Sequence, residues 1–467
     1  MIKKGDILEE VLVEEFAAES KCIARVEGLV VFIEQAAPGD LVDLRITRKK
    51  KNFLEAKPLY YHRFSKKRQT PFCQHYGTCG GCKWQHINYV YQLEFKQQQV
   101  QDQLQRIGHI KDIGAEPILA APHQISYRNK LEFTFTDQRW LTQEEIDSSE
   151  NFERNGLGFH KPGQFDKVLD IEKCYLQSDL SNRIRIQAKE IALKEKIPFY
   201  NLRTHEGFLM NLIIRNSSLE EWMVILVVKY PNKLWIEKML DGLKNAFPEI
   251  TSVYYIINPK DNESYYDLEA VHFAGNRYIT EHMEDLKFRI GPKSFFQTNA
   301  QQALGLYKLV RDYGEFEKND IVYDLYSGTG TIASFIAKQV RKVIGLEYIA
   351  EAIEDARINA KVNQISNTEF FVGDIAKIFN RDFLKEHGDP DVIITDPPRA
   401  GMHKDVITAI LETRARRIIY ISCNPATQAR DLEMFSKKYR LVKTRAVDMF
   451  PHTKHVENIA VLEKNRI

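Results

Sequence analysis

Between Ile321 and Glu347 the chain runs through an alternation that few folds can satisfy. A strand-like run, Ile321-Val322-Tyr323-Asp324-Leu325, enters the glycine-bearing turn Tyr326-Ser327-Gly328-Thr329-Gly330. A helical stretch from Thr331 to Gln339 follows, and then a second run, Lys342-Val343-Ile344-Gly345-Leu346, which closes on Glu347. Strand, crossover helix and strand in this order predict a buried parallel sheet with helices packed on it. Three more strand ends follow: Phe371-Val372-Gly373-Asp374, then Val392-Ile393-Ile394-Thr395 before Asp396-Pro397-Pro398-Arg399, then Ile418-Ile419-Tyr420-Ile421 before Ser422-Cys423-Asn424-Pro425. Open α/β sheets build their sites where such strands end, so these polar tails are read as one site.

Each tail suits one part of an adenosyl ligand or of a reaction. Gly328 and Gly330 permit a tight turn and close approach of a ligand to the backbone, Glu347 can accept from both ribose hydroxyls, and Asp374 can bond an adenine amine. Gly328, Gly330 and Ala333 also fit the dinucleotide pattern, which keeps a nicotinamide-dependent enzyme as an alternative. The continuation through Asp374 and Asp396-Pro397-Pro398 favours S-adenosylmethionine. Cys423, a lone thiol at the end of a buried strand, is the candidate nucleophile; its bland alternative is an inert structural cysteine.

At 467 residues the chain has room for two or three domains. The start, Met1-Ile2-Lys3-Lys4-Gly5-Asp6, lacks the apolar stretch of a signal peptide, and the run Trp222–Val228 is too short to span a bilayer. A cytoplasmic protein without a membrane partner is expected. The net charge of +2 hides a block: ten Lys or Arg and a single acid, Glu55, lie between Arg45 and Arg68, interleaved with Phe53, Tyr60, Tyr61 and Phe64. Such a surface suits phosphate neutralisation with stacking on unpaired bases, although a solvated face has the same composition.

The first sixty residues read as short strands, Ile7–Val13, Val26–Ile33 around Gly28, and Leu41–Ile46 after the turn Ala37-Pro38-Gly39-Asp40. This spacing favours a small oligonucleotide-binding barrel and resembles the TRAM domain, an RNA-binding barrel. Tyr89 to Gly108 is expected to be a helix with an apolar face of Val90, Leu93, Val100, Leu104 and Ile107. From about Ile125 to Asp285 the pattern is mixed α+β: strands at Lys130–Phe135, Met210–Arg215 and Met223–Val228, a helix at Ser181–Lys196, and a polar surface insertion at Gln143–Glu153.

Six cysteines in a cytoplasmic chain are not expected to form a disulfide framework. Cys73, Cys79 and Cys82 make a C-x5-C-x2-C cluster wrapped in Thr78, Gly80 and Gly81. Cys174 is the natural fourth ligand, because Cys22 lies in the barrel and Cys423 belongs to the other constellation. Four thiolates suit either structural zinc or a 4Fe-4S cluster, and the spacing leaves the metal open; buried inert thiols are the alternative to both.

Taken together, the barrel, the four cysteines, Ser294-Phe295-Phe296-Gln297-Thr298-Asn299, the loop from Asp324 to Gly330, Asp396-Pro397-Pro398-Arg399, Ser422-Cys423-Asn424-Pro425 and Phe450-Pro451-His452-Thr453-Lys454-His455-Val456-Glu457 carry a resemblance over essentially the whole length. The chain resembles the RumA-type, TRAM-containing, iron-sulfur 23S ribosomal RNA uridine-5-methyltransferases. The resemblance implies a multidomain architecture: an oligonucleotide-binding-like barrel at 1–62, a central α+β domain with the cysteine cluster at 63–285, and a Rossmann-like S-adenosylmethionine-dependent methyltransferase domain at 286–467. It implies that Gln297, Tyr326, Gly328, Thr331, Glu347, Asp374 and Asp396 contact the methyl donor. It makes Cys423 the nucleophile and Glu457 the general base, sets the 4Fe-4S cluster ahead of zinc at Cys73, Cys79, Cys82 and Cys174, and gives 23S ribosomal RNA as the partner of a monomeric enzyme. Phe295 or Phe296 would stack on an extruded uridine, although both also read as core residues. The family often has Phe and Cys where this chain has Tyr326 and Ser327, and Asn in place of Thr331, which touches fine contacts to the donor and not the reaction. A transfer-RNA uridine methyltransferase with the same residues, and an RNA-binding or RNA-folding factor, are the alternatives.

Overall fold

The computed structural model describes residues 2–17, 20–148 and 150–465; Met1, Ala18, Glu19, Ser149, Arg466 and Ile467, which fall in the expected segments 1–62, Gln143–Glu153 and 286–467, lie outside the described residues. The amino-terminal strands are β1 (Ile7–Leu12), β2 (Glu15–Phe16), β3 (Cys22–Val26), β4 (Leu29–Ile33), β5 (Leu41–Lys49) and β6 (Phe53–Arg63), in one sheet ordered β1-β5-β6-β4-β3-β2. Period-two alternation turns Val42, Leu44 and Ile46 of β5 into a core with Ala24, Val31, Ile33 and Leu54. Cys22 is buried in that core and donates to the Ala36 carbonyl at 3.2 Å. The basic block divides into two kinds of side chain. Arg48, Lys49, Lys50 and Lys51 are exposed. Arg68 instead reaches the buried Asp40 at 2.8 Å and packs over the Tyr61 and Phe64 rings, so it is spent on the fold.

Helix Tyr89–Arg106 follows, and its buried stripe corrects the expected face. The side chains buried are Gln92, Lys96, Val100 and Leu104, while Val90 and Ile107 are exposed. Apolar residues at the helix ends misled the phase, because two of the four buried positions are polar and bond a distant loop. The short strand β7 (Ala115–Leu119) comes next.

The central sheet comprises β8 (Lys130–Thr136), β9 (Gly156–Lys161), β10 (Gln164–Asp170), β11 (Leu209–Asn216), β12 (Trp222–Val228), β13 (Ile250–Ile257) and β14 (Ala270–Gly275), in the order β10-β9-β8-β11-β12-β13-β14. Helices Asp179–Lys194 and Lys233–Ala246 pack on it through Ile184, Ala188, Met239 and Leu243. Every residue of β12 is buried, which accounts for its unbroken apolar run. Among the described residues no helix is long and apolar enough to cross a membrane.

A hairpin, β15 (Ile279–Met283) and β16 (Leu286–Ile290), leads to the carboxy-terminal sheet of β17 (Ile321–Leu325), β18 (Lys342–Glu347), β19 (Thr368–Val372), β20 (Val392–Thr395), β21 (Arg417–Ser422), β22 (Tyr439–Val447) and β23 (Glu457–Lys464). Its order is β19-β18-β17-β20-β21-β23-β22-β7. Strands β17 to β21 are parallel; β17, β18, β20 and β21 are entirely or largely buried, whereas the edge strand β19 buries only Phe370. Strand β23 runs antiparallel between β21 and β22, and β7 is recruited from before the central sheet as an edge strand parallel to β22. The order reverses between β17 and β20. The crevice above their carboxyl ends is where a ligand belongs in such a sheet.

Candidate active site

At the end of β17 the chain must turn sharply under a ligand. Tyr326 adopts φ +63° and Gly328 φ +53°. A side chain bulkier than hydrogen rarely takes the left-handed region, so Tyr326 holds local strain of a kind that clusters at functional positions. A methyl group at Gly328 would meet nothing within 4 Å, which leaves room over the loop. Glu347, at the end of β18, accepts from the Gly328 N–H at 3.1 Å and the Ile349 N–H at 3.0 Å, fixing its carboxylate beside that room. Asp374 caps the next short helix, accepting from Ala376 N–H at 3.1 Å, and Thr331 and Thr329 share a hydroxyl contact of 3.2 Å. Gln297 is half-buried, and its carbonyl accepts from Asn129 Nδ2 at 3.0 Å.

The crevice is lined by buried carboxyls. Burial pushes the Asp324 carboxyl up to about 8, with Asp396 adding to the shift, and pushes Asp396 itself up to about 7. Asp324 accepts one bond, from Ala333 N–H at 3.1 Å; its other oxygen, and the Ser327 and Ser334 hydroxyls, are buried without partners among the described residues. Buried orphan acceptors around an open loop are what a cationic, hydrogen-bonding ligand would satisfy, so the residues present fit S-adenosylmethionine.

The reacting pair is set by strand register. In the antiparallel β21–β23 ladder Ser422 faces Asn458. Cys423 and Glu457 are the next residues beyond this last pair, Glu457 being paired with Val447 of β22, and the charge of Glu457 acts on the Cys423 thiol. Asn424 accepts from Ala426 N–H, and Pro425 opens helix Pro425–Phe435, so the motif after the thiol is a strand-to-helix turn with a capped start. Asn424 Nδ2 and Thr427 Oγ1 donate to the Arg399 carbonyl at 3.0 and 3.2 Å, stapling the turn after Asp396 to the thiol. Gln428 holds both strands, donating to the carbonyls of Tyr420 at 2.9 Å and Asn458 at 3.2 Å.

Burial raises the Cys423 thiol to about 11, helped by Glu457 and Asp396, while the Arg399 guanidinium opposes the shift. Glu457 is buried, contrary to the surface position usual for a lone glutamate, and burial, reinforced by Asp396, lifts its carboxyl well above the ordinary range. A thiol, a buried carboxyl and a guanidinium thus lie within one another's field beside Asp396. Sequence reasoning named Arg399 only as part of a motif and did not find Tyr307, a buried phenol in the field of Asp396, Asp324 and Glu457; nothing in the pattern of helix Ala300–Gly314 marked it.

The two phenylalanines separate. Phe296 is in the core, whereas Phe295 is 69% exposed and lines a cavity of about 1070 Å³ with Tyr266, Arg128 and Lys130. Cys73, Cys79, Cys82 and Cys174 line the same cavity and are free thiols. Burial raises Cys82 to about 12 and Cys174 to about 11, each raised further by neighbouring cysteines. Cys79 Sγ accepts from the Gly81 N–H at 3.4 Å, and Asn182 clamps the Cys174 backbone at 2.8 and 3.0 Å. Among the described residues no three His, Cys, Asp or Glu side chains are drawn together as a metal-ligand group. Four neighbouring thiols on one wall fit a four-thiolate centre by donor chemistry, and not as an assembled ligand set.

Comparison with known proteins agrees with this geometry. A family profile described as tRNA (Uracil-5-)-methyltransferase matches residues 273–465, and a TRAM domain profile matches residues 8–59. A Bacteroides thetaiotaomicron protein named as an uncharacterized RNA methyltransferase is 51% identical, with 96% of this chain and 99% of that one covered. A Porphyromonas gingivalis protein of the same name is 48% identical over 97% of this chain and 99% of its own. The crystal structure of Pyrococcus abyssi tRNA (uracil-54, C5)-methyltransferase in complex with S-adenosyl-L-homocysteine superposes with a TM-score of 0.75 at 30% identity, covering 97% of this chain and 99% of that one.

Proposed function

The chain belongs to the TRAM-containing RNA uracil-5-methyltransferases, enzymes that use S-adenosylmethionine, and from that premise we propose that it methylates carbon 5 of a uridine in 23S ribosomal RNA through a covalent adduct to Cys423. The observation that supports the proposal is that the Cys423 thiol, just past the last β21–β23 pair, lies in the field of the buried Glu457 and Asp396 carboxyls. Gln297, Tyr326, Gly328, Thr331, Glu347, Asp374 and Asp396 are the proposed donor contacts.

The chemistry requires these groups. Carbon 5 of uracil is too weak a nucleophile to take a methyl group directly. The Cys423 thiolate adds to carbon 6, the ring becomes an enolate, and carbon 5 takes the methyl group as its bond to the sulfonium breaks and S-adenosylhomocysteine leaves. Carbon 5 then still carries its proton. Glu457 removes it, the carbon 5–carbon 6 double bond re-forms, and the thiolate leaves. Arg399 stabilises the thiolate at both ends of the cycle. A target carbon inside a stacked duplex is out of reach, so the uridine is extruded, with the exposed Phe295 as its stacking partner.

For Cys73, Cys79, Cys82 and Cys174 we propose a 4Fe-4S cluster rather than zinc, whose contribution is to cross-link loop 64–88 to the central sheet. The unit boundaries near residues 62 and 285, a monomeric state and a cytoplasmic location belong to the same proposal. One finding favours a second reading: the solved relative acts on transfer RNA according to its name, so a transfer-RNA uridine is the competing substrate. Mixing the enzyme with RNA and S-adenosylmethionine and resolving it on a denaturing gel tests the mechanism. Glu457→Gln should accumulate a protein–RNA adduct and Cys423→Ala should form none. Methyl transfer by Cys423→Ala would remove the mechanism.

A further inference from the structure

The connection 448–456 joins β22 to β23 and delivers Glu457 as the first residue of its strand. Side chains and backbone groups from outside the catalytic strands, most of them buried, hold this loop at each residue from Asp448 to His452. Asp448 accepts from Lys96 Nζ at 2.5 Å and from Tyr89 Oη at 2.8 Å. The Met449 carbonyl accepts from Asn299 Nδ2 at 2.9 Å, the Phe450 carbonyl from Lys96 Nζ at 3.0 Å, and the Pro451 carbonyl from Tyr127 Oη at 3.0 Å. His452, at φ +64°, donates its N–H to Gln92 Oε1 at 2.9 Å, and its carbonyl accepts from Lys83 N–H at 2.8 Å and Trp84 N–H at 3.0 Å.

Lys96 is the one side chain in this set that ties two points of the loop together, and both it and Asp448 are fully buried. It stands at i+4 from Gln92 on the buried stripe of helix Tyr89–Arg106, whose other half, Val100 and Leu104, packs in the carboxy-terminal core. A buried ion pair is poor as plain stabilisation, because an apolar pair of the same volume packs as well without the desolvation cost. What an ion pair adds is a fixed geometry. Here that geometry belongs to the segment that ends on the proposed base.

We propose that Lys96 is a positioning residue for the proton-removing half of the reaction, holding loop 448–456 so that the Glu457 carboxylate meets the carbon 5 proton of the methylated adduct. The inference rests on the reading of Glu457 as the base. Lys96 is fully buried against Asp448 and presents no surface to solvent. Thiol addition and methyl transfer depend on Cys423 and the donor crevice, and these steps do not need the loop. With the loop released, the adduct forms and carries both methyl group and proton at carbon 5, but the proton leaves slowly and the carbon 6–sulfur bond persists.

The test compares Lys96→Met, Lys96→Met with Asp448→Asn, and Glu457→Gln with the wild type. Each is mixed with full-length RNA substrate and labelled S-adenosylmethionine, and free methylated RNA and denaturation-resistant adduct are quantified over time. The double variant removes the unpaired buried carboxylate and carries the test if Lys96→Met does not fold. The expected result is a tenfold or greater fall in kcat, an unchanged KM for the donor, and a tenfold rise in the steady-state covalent fraction, qualitatively like Glu457→Gln. A merely structural role would lower turnover and adduct in parallel, and a wild-type covalent fraction in both Lys96 variants overturns the inference while leaving the base assignment standing. Normal product release by Glu457→Gln instead overturns the base assignment and the inference with it.

Discussion

On the proposed binding mode donor affinity should rise steeply with pH, because burial raises the two carboxyls that would face the cationic donor into the neutral range. Burial places Asp396 at about 7 and Asp324 at about 8. S-adenosylmethionine carries a sulfonium and an ammonium against one carboxylate, so it pairs best with the ionised acids. Both folded pKa values lie above the ordinary carboxylate value, so lowering the pH protonates the site and weakens binding. If only Asp396 must ionise, its ionised fraction rises from about one tenth at pH 6 to about nine tenths at pH 8, and apparent affinity rises about tenfold; a requirement for ionised Asp324 enlarges the factor. Isothermal titration of S-adenosylmethionine at both pH values, repeated in buffers of different ionisation enthalpy, measures the affinity and the released proton together. Asp396→Asn should lose the part of the slope that belongs to Asp396. An affinity that changes less than about twofold, or the same slope and proton release in the variant, would refute the reasoning.

Three further outcomes are expected. Asp324→Asn should raise the thermal stability of the donor-free protein at pH 8 by on the order of 2–5 kcal/mol and leave it nearly unchanged at pH 4, because a raised carboxyl pKa costs stability only above its unfolded value; equal shifts at both pH values in a melting experiment would contradict this. With the Cys423 thiol at about 11, log kcat/KM should climb with pH from 7 to 9, and Arg399→Ala should lower it by roughly 10- to 100-fold at pH 7.5, checked by initial rates; a flat profile would deny the thiolate. Replacing the exposed Arg48, Lys49, Lys50 and Lys51 by Ala should flatten the salt dependence of RNA binding by about 0.7 for each phosphate that is no longer neutralised, and an unchanged slope would make the block a solvated face.

Much of the carboxy-terminal site was legible because period, turn chemistry and polar tails agreed. The runs Ile321–Leu325, Lys342–Glu347, Val392–Thr395 and Arg417–Ser422 are parallel strands, and Asp324, Glu347, Asp396 and Cys423 stand at or beside their ends. The recruitment of Ala115–Leu119 beside β22 left no sequence signal, since a five-residue edge strand containing Pro117 is defined by its partner and not by its own pattern. The helix at 89–106 was found, and its phase was not, because Gln92 and Lys96 occupy core-facing positions that a hydrophobic pattern assigns to solvent. The burial of Glu457 was equally invisible: only strand β23, lying between β21 and β22, takes that carboxylate out of water. Phe295 and Phe296, adjacent and chemically alike, could not be told apart until the fold gave one to the core and the other to the cavity.

The measurement that bears most directly on the account is nucleoside mass spectrometry of 23S ribosomal RNA and transfer RNA, each incubated with anaerobically purified enzyme and methyl-labelled S-adenosylmethionine. Label in 5-methyluridine from 23S ribosomal RNA is the predicted result. Label in transfer RNA alone would keep the mechanism and replace the substrate, and the absence of labelled 5-methyluridine from both RNAs would contradict the central claim.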